Sequence, residues 1–156
     1  MKTRELQTLW WDWLSTSERL LRSLHEQTAA LSLRDVERVE RIQPELDNLL
    51  ESMKTIDGKA ATCAQKLAEG MGTEPNLRSL VQVLEKAEGQ QIQSIANRVT
   101  VVARHVSTVL ERNRALLESE LTYINGTMTL VAKAATENPS KYSNKSHAAV
   151  LMDQAA

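Results

Sequence analysis

Phenylalanine is absent from this 156-residue chain, and turn-forming residues are scarce, with only 5 Gly and 3 Pro. A β-sandwich or β-barrel needs aromatic strands and frequent turn residues, so the composition argues against both. The single cysteine, Cys63, has no partner for a disulfide within the chain, which allows a reducing compartment. Hydrophobic residues make up 42% and charged residues 25%, as in folded globular proteins. The composition therefore predicts an all-α fold.

An excess of one charge and long apolar runs are also missing. Lys and Arg number 19 against 20 Asp and Glu, which argues against a nucleic-acid binder or a polybasic membrane-surface protein. No run approaches the roughly 18 apolar residues of a membrane span. Arg4, Glu5 and Asp12 interrupt the apolar stretch at the N-terminus, so no signal peptide is predicted. We expect a cytoplasmic protein with no nucleic-acid partner and no stable membrane insertion.

Apolar residues recur at helical spacing almost from end to end. The first series predicts one helix from Thr3, as its N-cap, to Leu31. The phase of the apolar stripe breaks at Leu31 and a new stripe begins, so we expect a tight turn near Ser32 and a second helix that runs to about Glu69.

Proline and glycine mark the next features of the chain. Pro44 lies inside the predicted second helix, where it removes a backbone donor. The sequence allows either a kink there or a short helix that ends near Ile42. Residues 70–76 contain two glycines and a proline, and this composition predicts a loop, with Thr73 as the cap candidate for the next helix.

From Leu77 one apolar stripe keeps its phase for about 60 residues, or about 90 Å of helix. Two alternatives follow: the chain breaks near Gly89 and forms a four-helix bundle, or the last helix overhangs its partners and exposes apolar surface. Pro139 is expected to end the helix. We predict an elongated antiparallel helical bundle or coiled coil of three to four helices with a long C-terminal helix, over residues 1–137, and a flexible tail over residues 138–156.

Side chains that carry chemistry do not form a constellation in the sequence. His25, His105 and His147 have no His or Cys at metal-ligand spacing. Cys63 adjoins the apolar stripe of the second helix and is interpreted as a small buried hydrophobe. We therefore predict that the protein is not an enzyme and that it has no catalytic residue, no metal ligand and no cofactor.

Two features favour contacts with other proteins. Trp10 and Trp13 share the inward stripe of the first helix, while Trp11 points about 100° away, where it covers the edge of the core or belongs to a partner surface. Residues 99–121 carry a broad apolar face flanked by arginines. This face is either buried within the bundle or is a site for a partner's amphipathic helix.

Several short stretches add a family resemblance. They are a leucine-rich first helix, Pro-Glu-Leu-Asp-Asn-Leu-Leu at 44–50, a loop around Gly70, Glu-Arg-Asn-Arg-Ala-Leu-Leu at 111–117 and Leu-Thr-Tyr-Ile-Asn-Gly at 121–126. Over residues 5–146 the chain resembles the FlgN-type flagellar export chaperones. Of that family's Asn-x-x-Asn-Gly pattern only Asn113 is in place, and Tyr142 is followed by Ser143 rather than by glycine.

The resemblance implies a cytoplasmic chaperone of flagellar type III export. Such a protein binds the C-terminal helical region of hook-associated (hook–filament junction) proteins, prevents their premature assembly and delivers them to the export gate. It implies export-gate docking by Tyr142. It also implies a client-binding face on the last helix, formed by Val109, Asn113, Leu116, Leu117, Leu121, Ile124 and Met128. The chaperone hypothesis predicts a monomer or a weak homodimer, and the alternative is a self-associating structural coiled-coil protein without a client.

Overall fold

A computed structural model describes residues 2–137 of the chain. It has four helices, α1 (Arg4–Ser32), α2 (Val36–Met71), α3 (Leu77–Val83) and α4 (Lys86–Glu137), and no strand within these residues. The predicted all-α class is confirmed. The chain divides into two compact units, Met1–Asn113 and Arg114–Ala156, and the boundary falls inside α4. The predicted tail, residues 138–156, lies outside the described residues and stays a prediction.

The turn between α1 and α2 forms where the apolar stripe changes phase. Arg34 takes a left-handed conformation, with φ of 55°, and its N–H donates to the Leu31 carbonyl at 3.1 Å. The Asp35 carboxylate then accepts the backbone N–H of Arg38 at 3.1 Å and caps α2. The turn predicted near Ser32 is confirmed.

α2 is continuous through Pro44, so the alternative in which it ends near Ile42 is wrong. Ile42 and Leu46 are both buried, and this packing on either side of the proline favours one helix over two. α2 ends where Gly72 takes φ of 65°, a left-handed conformation that glycine adopts without steric cost.

A short helix follows the glycine loop. Asn76, rather than Thr73, caps α3, because its side-chain oxygen accepts the backbone N–H of Ser79 at 2.8 Å. A break near Gly89 was one of the two alternatives, and the break before α4 lies a few residues earlier, between Val83 and Lys86. Gly89 lies in α4, where an added Cβ would come within 3.3 Å of the Val81 carbonyl oxygen, so the glycine allows α3 to approach α4 closely.

The helices of the first unit run up, down and up again. α1 and α2 are antiparallel across their tight turn. α1 and the first part of α4 are parallel, because Thr3 contacts Glu88 near the start of both helices and Thr28 contacts Asn113 much further along both. This order brings α1, α2 and the first part of α4 together around shared apolar side chains.

The core of the first unit consists of two clusters. The larger cluster joins α1, α2 and α4 and contains Trp13, Leu20, Leu24, Ala30, Ile42, Leu46, Leu49, Met53, Val106 and Val109. The smaller cluster lies at α3 and contains Ala68, Leu80, Leu84 and Ile92. Trp10 packs against the smaller cluster and Trp13 lies in the larger one, whereas Trp11 is 46% exposed. The prediction that Trp10 and Trp13 point inward and Trp11 outward is confirmed.

Candidate functional site

The described part of the second unit is the segment of α4 from residue 114 to residue 137, and its apolar side chains form a stripe. They follow one another at alternating spacings of four and three residues, which keeps them on one side of a helix. The members of this apolar stripe are Leu117, Leu121, Ile124, Met128 and Val131. Leu121 is 59% exposed, Val131 42% and Ile124 36%, while Leu117 and Met128 are half-buried.

A second line of apolar side chains flanks the stripe. Leu116, Tyr123 and Leu130 are spaced seven residues apart, so they lie on one side of the helix beside the stripe. Tyr123 is 52% exposed and Leu130 68% exposed. The stripe and this flanking line together are called the apolar face below. Exposed apolar side chains grouped in this way are typical of a protein-binding site.

The apolar face lies on a segment with weak intrinsic preference for helix. Residues 122–129 include three threonines, one asparagine and one glycine. The hydroxyls of Thr122, Thr127 and Thr129 donate to carbonyls of their own helix at 3.0, 3.0 and 2.9 Å. Such a segment depends on burial of its apolar side chains to stay helical, so a partner that covers the face would stabilise it.

The structure separates the residues that the family resemblance assigned to client binding. Leu116, Leu117, Leu121, Ile124 and Met128 all lie on the apolar face of the second unit. Val109 and Asn113 belong to the first unit and are only 1% and 2% exposed. Val109 and Asn113 are therefore not part of the apolar face.

Asn113 holds α4 against α1. Its side-chain nitrogen donates to the Leu24 carbonyl and to the Gln27 side-chain oxygen, both at 2.9 Å, and its oxygen accepts from the Thr28 hydroxyl at 2.6 Å. Both amide hydrogens are used, which leaves no donor for a bound helix. The sequence does not reveal this role, because the partners of Asn113 lie more than 80 residues away, at separations of 85, 86 and 89 residues.

Sequence reasoning did not include Tyr123, Leu130 and Val131 among the candidate residues. The signal for Tyr123 and Leu130 was the seven-residue spacing from Leu116 to Tyr123 and from Tyr123 to Leu130. Val131 continues the alternation of three and four residues after Met128. Tyr142, the predicted export-gate residue, lies outside the described residues.

The histidines and the cysteine give little basis for a metal-binding or catalytic site. Within residues 2–137 no group of three or more His, Cys, Asp or Glu side chains could hold a metal ion. His25 and His105 nonetheless meet across α1 and α4, with ring centroids 6.0 Å apart. Burial, helped by the nearby Glu5 charge, raises the pKa of the Cys63 thiol, so the nucleophilic thiolate is disfavoured there.

None of the helices between residue 2 and residue 137 combines the length and the apolarity that a membrane span requires.

Comparison with known proteins identifies a family for the chain. No curated protein and no solved structure matches the chain. The family model described as FlgN protein matches residues 1–149 and so includes every described residue of both compact units. The chain belongs to the FlgN family.

Proposed function

We propose that this protein is a cytoplasmic, non-enzymatic chaperone of flagellar type III export. It binds the C-terminal helical region of hook-associated proteins on its apolar face, prevents their premature assembly and delivers them to the export gate. Membership of the FlgN family supports a chaperone role in flagellum assembly. The observation that supports the site is the exposed stripe of Leu121, Ile124 and Val131.

The physical basis of client binding is burial of apolar surface on both partners. Apolar area in water costs about 25 cal/mol per Å², and an amphipathic client helix covers it by packing its own apolar side chains against the stripe. A client segment that becomes ordered on binding loses conformational entropy, so affinity per unit area is low. Low affinity per unit area suits a chaperone that must release its client at the export gate.

A charge placed in the stripe tests the site. In Leu121→Asp the carboxylate would have to be desolvated beneath the client helix, so affinity for a hook–filament junction subunit should fall at least about tenfold. Because Leu121 is 59% exposed, the urea unfolding midpoint should hardly change. Isothermal titration calorimetry with the purified subunit measures the affinity.

The control for this variant is Leu50→Asp on α2. Leu50, like Leu121, is an exposed leucine on a helix, 38% against 59% exposed, but it lies in the first unit. Leu50→Asp should bind the junction subunit with wild-type affinity. Equal loss in Leu50→Asp and Leu121→Asp, or no loss in either, would contradict the assignment of the client to the apolar face.

Light scattering separates the chaperone from the alternative, a self-associating coiled-coil protein. A monomer or weak dimer that forms a stoichiometric complex with the junction subunit supports the chaperone. A tight homodimer that does not bind the subunit would mean that the apolar face pairs with a second copy.

We further propose that Tyr142 docks at the export gate, which the family resemblance supports. Tyr142→Ala should keep the fold and the client affinity but reduce secretion of junction proteins and motility in cells. Tyr123→Ala, at the other tyrosine of the chain, is the contrasting variant, and its client affinity is measured alongside. It should weaken client binding, because Tyr123 belongs to the apolar face. Normal export by Tyr142→Ala would refute the docking role.

A further inference from the structure

A separate surface runs along the edge where α1 meets α4 in the first unit. Its members recur every seven residues on each helix, so each set stays on one side of its helix. They are Trp11, Glu18 and His25 of α1 and Arg98, His105 and Arg112 of α4. This surface is called the α1–α4 rim below. The rim shares no residue with the apolar face.

Two contacts across the helices define the rim. The guanidinium carbon of Arg98 lies 5.2 Å from the ring centroid of Trp11, which is a cation–π contact. Further along, the His25 and His105 ring centroids are 6.0 Å apart. Because both pairs are exposed side chains that meet from different helices, they mark one continuous edge of the unit.

The arginines of the rim have no carboxylate partner in the described residues. Ion pairs there include those of Arg38 with Glu26 and of Arg114 with Glu118, and neither Arg98 nor Arg112 takes part in one within the described residues. Glu18 is the one acidic member of the rim. The rim therefore presents a net positive charge, although the chain as a whole has a net charge of −1.

Apolar surface adjoins these charges. Trp11 is 46% exposed, and Val101, one turn after Arg98 on α4, is 65% exposed. Tryptophan and arginine are the residue types that most often dominate binding energy at protein interfaces. The indole also restricts Arg98, so less side-chain entropy is lost when its guanidinium binds an anion.

We propose that the α1–α4 rim binds an acidic segment of a partner protein. Carboxylates of that segment pair with Arg98 and Arg112, and an apolar side chain of it packs on Trp11 and Val101. The charge complementarity favours this occupant over nucleic acid, because Glu18 interrupts the basic line and a nucleic-acid surface is more strongly basic.

A second copy of the chain fits the rim less well. The exposed acidic residues of α2, such as Glu40 and Glu45, are accompanied by Arg38 and Arg41 and belong to a different helix from either line of the rim. Pairing of the rim with α2 of another copy would therefore be head to tail, and such contacts propagate into open chains unless the rotation closes a ring. The partner is thus a different protein.

Nuclear magnetic resonance tests the rim through the indole N–H signals of the three tryptophans. The probe is a synthetic amphipathic peptide of Glu, Leu and Ala, and its counterpart carries Lys in place of Glu. The acidic peptide should shift the Trp11 signal and leave that of Trp13, which is buried in the core, in place. The Lys peptide should shift neither signal, and added salt should weaken binding of the acidic peptide.

Arg98→Gln should lower the affinity for the acidic peptide about tenfold, because it removes a charge-assisted hydrogen bond. Arg41→Gln, at an exposed arginine of α2, is the matched control and should bind like wild type. The titration is repeated in Leu121→Asp, whose apolar face is impaired, and the Trp11 shift should persist. All variants should unfold at the wild-type urea midpoint, since the altered side chains are exposed.

Three results would overturn the proposal: equal shifts with both peptides, wild-type affinity in Arg98→Gln, or loss of the Trp11 shift in Leu121→Asp. Preferential binding of a single-stranded oligonucleotide over the acidic peptide at Arg98 would also refute it. None of these experiments uses the junction subunit. A result that refutes the rim proposal can therefore be distinguished from one that refutes client binding by the apolar face.

Discussion

Thr3 and Glu88 meet at one carboxylate oxygen: the Thr3 hydroxyl and backbone N–H donate to Glu88 Oε1 at 2.7 and 2.8 Å. Thr3 is fully buried and Glu88 is 9% exposed. Thr3 occupies the N-cap position of α1, but its hydroxyl makes no capping bond there. It joins the start of α1 to the first turn of α4 instead. The side-chain bond and then the backbone bond from Thr3 lower the pKa of the Glu88 carboxyl.

Glu88→Gln should lower the free energy of unfolding by about 1–2 kcal/mol at neutral pH, because it replaces two charge-assisted hydrogen bonds with neutral ones. Urea unfolding measures the change. Glu85→Gln, at an exposed acid just before α4, is the control and should lie within about 0.5 kcal/mol of wild type. A Glu88→Gln protein as stable as wild type would contradict the anchoring role.

The same pair predicts a pH dependence. Because the folded pKa of Glu88 is lowered, its stabilisation is complete above the unfolded carboxyl pKa of about 4.3 and is lost as pH falls through the folded value. The stability difference between wild type and Glu88→Gln should therefore shrink on acidification through that range. A difference that stays constant from neutral to acid pH would rule out this linkage.

Asn113→Ala should cost about 2 kcal/mol of stability, since it leaves the Gln27 side-chain oxygen without its donor and removes one of the donors to the Leu24 carbonyl. Client affinity of the folded fraction should stay at the wild-type value. Asn97→Ala, at an exposed asparagine of α4, is the control and should change stability little. Lost client binding at unchanged stability would restore Asn113 to the client site.

Gly72→Ala and Gly58→Ala should shift stability in opposite directions. An added Cβ meets nothing within 4 Å at either position, so backbone conformation decides the result. Gly72 has φ of 65°, and an L-residue there should cost about 1–2 kcal/mol. Gly58 lies inside α2, where alanine should add about 0.5–1 kcal/mol. Thermal or urea unfolding of the pair tests both signs.

Local patterns predicted most of the helical organisation. The phase change at Leu31 marks the α1–α2 turn because a stripe that continued would have buried Asp35 and Arg38. The glycine loop before Asn76 likewise separates α2 from α3. The break between Val83 and Lys86 has no glycine or proline to mark it, and Gly89, which drew the prediction, serves a close helix contact instead.

Helical periodicity likewise predicted only part of the candidate site. Helical periodicity places Leu121 and Ile124 on one face whatever their surroundings, but it also extends the same stripe back to Val109 and Asn113. Periodicity cannot distinguish a stripe that is covered from one that is exposed. That distinction comes from α1, whose Leu24 and Gln27 bond to Asn113 from distant positions in the chain.

The parallel course of α1 and α4 has a consequence for folding. The bonds that join them link residues 84 positions apart or more, whereas α1 and α2 meet across a tight local turn. Closing the larger loop costs more chain entropy, so the α1–α2 hairpin should assemble first and α4 should dock last. Substitutions at Asn113 should then act mainly by speeding unfolding, with little effect on the folding rate. During synthesis, the hairpin would be complete on the ribosome while the helix that carries the apolar face was still being translated.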